Sequence, residues 1–256
     1  MTLNVVDKSA YGSSGMQACI GVETGQISDV VLMCGDPFRV QLIADQLENA
    51  LEIAHRREYR TVNGYYKGRL VTAASHGVGC PSTAIAVEEL ARAGAKMFIR
   101  LGSTAALQPH LAVGDLVVSE GAVRNEGTSR AFVPSGYPAV PDLELTSTLL
   151  HVARQMGAEQ GFVVHSGINV TDDAYYGETP EWISRYSSFG ITNVEMESSV
   201  IFVIARQHNL RAAMVCSVSA NLVTGDAVVE VGNDRVAVGW RQSITVALET
   251  VHQLTA

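Results

Sequence analysis

Val30-Val31-Leu32-Met33-Cys34-Gly35-Asp36-Pro37-Phe38-Arg39 decides the class of this chain. The apolar run Val30 to Met33 predicts a strand, and Gly35-Asp36-Pro37 predicts the turn that ends it. From Arg39 to Leu51 apolar residues recur at helical spacing, at Val40, Ile43, Ala44 and Leu47. The unit then repeats. Val71 to Ala74 reads as a strand, Ser75-His76-Gly77-Val78-Gly79-Cys80-Pro81-Ser82 as a loop, and Thr83 to Ala93 as a helix. Lys96 to Leu101 is a third strand, stopped by Gly102-Ser103-Thr104.

Further strands are expected at Asp115–Ser119, Gly161–Val170 and Ala212–Val218. Helices are expected at Leu145–Met156, Ser198–His208 and from about Asn233 to Gln253. Strands alternating with helices, with glycine-rich loops after the strands, make a single α/β domain with a mixed central sheet flanked by helices. Ligands of such sheets gather at the carboxyl ends of the strands. Residues 1–28, polar and glycine-containing, read as an N-terminal arm, and 29–256 as the domain.

Composition narrows the function classes. Of 256 residues, 47% are hydrophobic and 17% charged, which points to a large core, extensive subunit contacts or both. Apolar runs such as Ile201-Phe202-Val203-Ile204-Ala205 fall far short of the ~20 residues of a membrane span. No charged leader with an apolar stretch and cleavage site is visible, so a cytoplasmic, membrane-free protein is expected. A net charge of −8 lacks the basic stripe of a nucleic-acid groove. Cys19, Cys34, Cys80 and Cys216 are widely spaced with no CxxC pair, so reduced thiols and no metal site are expected.

Four places carry polar residues out of character with their surroundings. Gly35 and Arg39 pair a glycine turn, whose backbone N–H groups are exposed, with a side chain able to clamp an oxyanion; an ordinary glycine turn is the other reading. Arg100 lies in an apolar strand, where an unpartnered charge is costly, and is followed by Ser103 and Thr104; either an anion site or a structural salt bridge explains it. Glu195 and Glu197 flank Met196. If extended, both carboxylates face one side, where one could accept hydrogen bonds from sugar hydroxyls, but acids at a helix N-terminus explain the pair as well. Tyr175 and Tyr176 after Asp173 suit stacking on a flat base, or the core. His76 reads as a loop anchor.

Taken in order, Asp29 to Pro37, His55-Arg56-Arg57-Glu58-Tyr59, His76 to Ser82, Arg100-Leu101-Gly102-Ser103 and Val194-Glu195-Met196-Glu197 resemble the nucleoside phosphorylase family. That family contains hexameric purine nucleoside phosphorylases, uridine phosphorylases and methylthioadenosine phosphorylases. The resemblance covers about residues 20–225. It implies phosphate held by Gly35, Arg39, Arg100 and Ser103, with Arg57 reaching in from a neighbouring subunit. It places Glu197 and Met196 at the ribose, and Tyr175, Ser219, Ala220 and Asn221 at the base. Glu197 and Arg100 become the catalytic pair, inorganic phosphate the co-substrate, and no metal or cofactor is needed. A dimer becomes the minimal unit and a trimer of dimers the expected assembly.

The departures bear on the base. Uridine phosphorylases read the uracil amide edge with a glutamine and an arginine after the aromatic pair and another arginine after the late strand. Here the stretch is Tyr175-Tyr176-Gly177-Glu178-Thr179-Pro180-Glu181, and Leu222 follows Asn221. The spacing from Asp173 to Glu197 resembles purine and methylthioadenosine phosphorylases instead. Those relatives keep an aspartic acid where Ala220 stands, and a lost general acid costs ~10²–10⁴ in rate. Cys19 aligns with a histidine that touches the ribose 5′ position, and a thiol there would tolerate a 5′-deoxy or 5′-thio group. The expected reaction is phosphorolysis of a ribonucleoside, leaning to purines. A uridine phosphorylase, a nucleoside hydrolase and a catalytically impaired nucleoside-binding protein are the alternatives.

Overall fold

The computed structural model describes residues 15–226 and 234–255. β1 (Val30–Cys34) is buried along its length and leads into α1 (Pro37–Ala44). Asp36 caps that helix by accepting from the Phe38 N–H at 2.8 Å, and Pro37 occupies the first turn. The helix stops at Ala44, well short of Leu51. Glu48–Arg56 is instead strand β2, antiparallel to β3 (Tyr59–Tyr66), which pairs with β4 (Arg69–Ser75). β2 is an edge strand exposed along most of its length, with Leu51 66% exposed, so burial imposes no alternating pattern on it. Cross-strand pairing overrides the helical spacing there.

The remaining elements are α2 (Cys80–Ala93), β5 (Met97–Ala106), β6 (Leu116–Asn125), α3 (Leu143–Gln160), β7 (Val164–Asp172), α4 (Pro180–Ser188), β8 (Asn193–Glu195), α5 (Ser198–Gln207), β9 (Arg211–Asn221) and α6 (Asp234–Thr255). The sheet runs β2-β3-β4-β1-β5-β8-β7-β6-β9 and is mixed, as the alternation of elements implies. β9 also pairs parallel with β5, so β5, β8, β7, β6 and β9 close into a ring. That closure is not visible in the sequence pattern.

Apolar layers cover both faces. Val40 and Ile43 of α1, Leu145 and Leu149 of α3 and Ile244 and Leu248 of α6 share one layer. Val87 and Leu90 of α2 pack with the Ile201–Ala205 run of α5 in the other, and Ile20, Val22 and Ile27 join this second layer from the irregular segment before β1. No helix among the described residues is long and apolar enough to cross a membrane.

Two features of this frame position the site. β1 ends level with Arg100 of β5, through the pairing Met33↔Arg100, while β5 and β9 run on together to Ala106 and Asn221. The loop from β4 into α2 turns sharply at Gly77 (φ 75°), where a Cβ would lie 2.3 Å from the Ser82 Oγ. Only glycine accepts both that backbone and that contact.

Candidate active site

Where β1 stops, a cavity of about 230 Å³ opens between the ends of β1, β5, β8 and β9. Gly35, Arg39, Arg100 and Ser103 line it at the end of β1. Met196 and Glu197, with Tyr175, Ser219 and Ala220, also line it. Nine of the twelve site residues expected from the family resemblance therefore meet in one place.

Arg100 is buried and organises the site. Its Nε donates to Glu195 at 3.0 Å, its Nη1 to the His76 Nε2 at 3.0 Å, and its Nη2 to Glu197. Burial works against its charge, but Glu197 and Glu195 outweigh that and push its pKa up. Of a guanidinium's five N–H groups, the two left over are available to a ligand. The salt-bridge reading thus holds, and it leaves the guanidinium with donors to spare. His76 is fully buried, and burial together with the Arg100 charge holds it neutral, well below its ordinary value. Arginine only donates, so the His76 Nε2 must accept and its Nδ1–H donate to the Thr83 hydroxyl, 3.0 Å away. His76 is a positioning residue for Arg100, a role beyond the expected loop anchor.

The two glutamates divide the readings that the sequence left open. Glu195 caps α5, accepting from the backbone N–H groups of Glu197 (2.9 Å) and Ser198 (2.9 Å). Its carboxylate also takes Arg100, Asn169, Thr171 and the Ser198 hydroxyl, which saturates it. Both glutamates line the cavity, and Glu197 is the one with acceptor capacity left. It accepts from the Gly79 N–H at 2.8 Å and from Arg100, with lone pairs to spare. Burial pushes its carboxyl up, Arg100 pulls it down, and Glu195 adds to the upward push.

Ser103 accepts from the Arg39 Nη1 at 3.2 Å and from the Trp240 indole N–H at 3.0 Å. Its own proton remains free to donate. The Arg39 guanidinium lies 4.9 Å from the centre of the Trp240 ring, which braces it. Trp240 sits on α6, and no local motif marks it.

Farther along β5, Thr104, Ala105, Val194, Ala220 and Leu222 continue the wall. Tyr175, 62% exposed, stands at this part of the cavity, with Tyr176 edge-to-face at 5.0 Å and almost wholly exposed; neither ring belongs to the core. Glu178 joins the same wall, and burial with Asp172 nearby pushes its carboxyl up to about 7. Sequence reading noted Glu178 only as a mismatch.

Three expected residues lie elsewhere. Asn221, expected at the base, is buried and fully engaged. It donates to the Gln108 and Leu111 carbonyls at 2.9 and 2.8 Å and accepts from the Val223 and Thr224 N–H groups. It ties down the loop after β9 and does not line the cavity. Arg57 is exposed in the β2–β3 turn. Cys19 is held through its backbone N–H by Glu89 at 2.9 Å, outside the cavity but within electrostatic reach of Arg57.

Residues 29–246 match the family model described as the phosphorylase superfamily. The chain belongs to this phosphorylase superfamily. It is 42% identical to a guanosine phosphorylase of Halorubrum lacusprofundi over 205 residues, covering 80% of this chain and 83% of the relative. It is 43% identical to a uridine phosphorylase of Thermococcus kodakarensis over 225 residues, 83% of this chain and 80% of the relative. Its structure overlays that of a purine nucleoside phosphorylase from Toxoplasma gondii in complex with immucillin-H with a TM-score of 0.85, at 29% identity, covering 94% and 96% of the two chains. The phosphorylase is thus an enzyme of the nucleoside phosphorylase kind, with the expected single α/β domain and mixed sheet.

Proposed function

We propose that the enzyme cleaves a purine ribonucleoside with inorganic phosphate, releasing the free base and ribose 1-phosphate, with no metal or organic cofactor taking part. One observation carries this reading: a single cavity holds two arginines and a free hydroxyl donor together with a buried carboxylate that still has lone pairs to offer. Phosphate takes the Gly35 N–H, the Ser103 hydroxyl and the free N–H groups of Arg39 and Arg100. Glu197 accepts from the ribose hydroxyls, Met196 lines the sugar, and Tyr175 stacks on the base beside Ser219 and Ala220. The glycosidic bond loosens first, its electron pair leaving with the base, which is protonated in exchange for the proton that hydrogen phosphate gives up on bonding to the sugar. Phosphate then attacks the cationic anomeric carbon from the opposite face, with Glu197 and the phosphate charge stabilising the cation.

The purine assignment draws support from Leu222, which presents carbon where a uracil site needs an arginine; Ala220 leaves such a site without the aspartic acid of purine-cleaving relatives. A uridine substrate is the second reading, favoured by the Thermococcus relative's name. A panel of uridine, thymidine, inosine, guanosine, adenosine and methylthioadenosine, each with and without phosphate, tests both. Purine nucleosides should be cleaved faster, and only with phosphate or arsenate. Base release without either would mark a hydrolase, and binding without turnover an impaired site.

Arg57 and Cys19 share a surface outside their own cavity, which supports their donation to a neighbour's site in a dimer, three of which make the assembly. Sedimentation of the active enzyme tests this: a fully active monomer would overturn the shared site.

A further inference from the structure

Helix α6 comes close against the sheet at Gly239. A Cβ there would lie 2.1 Å from the Ser217 Oγ and 2.9 Å from the Gly114 carbonyl oxygen, so the approach leaves no room for a side chain. Ser217 of β9 is paired with Ser103 of β5, and the helix residue after Gly239 is Trp240, whose indole reaches Ser103.

Trp240 does not line the cavity, but it touches two residues that do. Its ring N–H donates to the Ser103 Oγ at 3.0 Å, and its face lies under the Arg39 guanidinium, 4.9 Å from the ring centre. Leu42, Ile43, Leu101 and Ile244 line the same small space and give the indole apolar surroundings.

A serine hydroxyl has two lone pairs and one proton. At Ser103 the Arg39 Nη1, 3.2 Å away, takes one lone pair and the Trp240 N–H takes the other. Neither partner can accept, and no acceptor for the proton occurs among the described residues. The hydroxyl is therefore confined to donating, and the direction left to it is the cavity that Ser103 lines. A group held as a donor beside a guanidinium suits a phosphate oxygen.

We propose that Trp240 is a positioning residue for phosphate, acting through Ser103 by fixing its hydroxyl as a donor and through Arg39 by holding the guanidinium in place. This rests on the phosphorolysis proposed above and adds to it a residue that never touches the substrate. An arginine ordered in advance spares the ligand the entropy of ordering it. One rigid bicyclic ring in contact with both groups also fixes the spacing between them, which a phosphate bridging the two requires.

The test is calorimetric binding of inorganic phosphate to the parent, Trp240→Phe, Trp240→Leu, Ser103→Ala and the double variant Trp240→Phe with Ser103→Ala. Thermal unfolding and phosphorolysis of inosine and uridine are measured alongside. Phenylalanine keeps an aromatic face for Arg39 and loses only the N–H, so Trp240→Phe should weaken phosphate binding about two- to ten-fold. Trp240→Leu loses the face as well and should weaken it at least about ten-fold. Because the N–H acts on the Ser103 hydroxyl, Trp240→Phe should change nothing further once Ser103 is alanine. An indole that only packs α6 on the sheet would lower the melting temperature and weaken phosphate equally with and without that hydroxyl, which would overturn the proposal. A parent-like phosphate affinity in Trp240→Phe would overturn it too, even if cleavage needs phosphate. No phosphate binding by the parent would sink both readings. A phosphate affinity that depends on Trp240 through Ser103, without phosphate-dependent cleavage, would keep the role of Trp240 and sink the phosphorolysis instead.

Discussion

Arg100→Ala should lower kcat/KM for phosphorolysis by at least about a thousand-fold and lower the melting temperature as well. Two losses combine. On the proposed reading phosphate loses the two N–H donors that Arg100 has left over, and one such donor to a developing or bound oxyanion is worth about 10²–10³ in rate. The protein loses the cation that sits between Glu195 and Glu197, leaving two carboxylates buried side by side. Removing one partner of a buried ion pair costs about 3–5 kcal/mol, because the remaining charge is left uncompensated. Arg100→Lys separates the effects. Lysine restores a charge but cannot reach Glu195, His76 and Glu197 at once while offering two further donors. Stability should recover more than phosphate use. The measurement is initial rate against phosphate concentration, with thermal unfolding on the same samples. An unchanged phosphate KM and kcat in Arg100→Ala would show that the anion is held elsewhere.

Glu197→Gln should lower kcat by about 10²–10³ while KM changes only a few-fold. The amide has the same shape and can still accept from the Gly79 N–H, so the loop before α2 should hold its place. It cannot oppose positive charge developing on the ribose, nor balance Arg100 as a carboxylate does. An interaction made mainly in the transition state shows in kcat rather than KM. Near-normal turnover with a lowered melting temperature would make Glu197 a structural acid and leave the sugar without its proposed partner. The same substitution at Glu195 predicts the opposite balance, because that carboxylate is saturated by hydrogen bonds within the protein.

Local sequence determined a great deal here. Apolar runs ending in glycine turns settled the α/β class, because strand burial and turn chemistry act over a few residues. An arginine inside Ile99-Arg100-Leu101 had to find a partner, so its importance was legible before the partner was known. The exposed edge strand β2 was not legible: nothing buries its faces, and what makes it a strand is β3 beside it. Nor could sequence foresee the pairing of β5 with β9 that closes the ring and brings Ala220 level with Ala105.

The site shows the same division. Glu195 and Glu197 differ by two positions and are identical in chemistry. Their roles separate only because Asn169 and Thr171 of β7 and Ser198 of α5 converge on one carboxylate and leave the other with lone pairs to offer the cavity. Asn221 looked as available to a base as its neighbours until the loop after β9 claimed its amide. Trp240 braces Arg39 and Ser103 from a helix 137 residues beyond Ser103. Short-range pattern determined which elements form and which residues needed partners. Which partner each one has was decided by the tertiary structure, since hydrogen bonds saturate and packing alone chooses who arrives first.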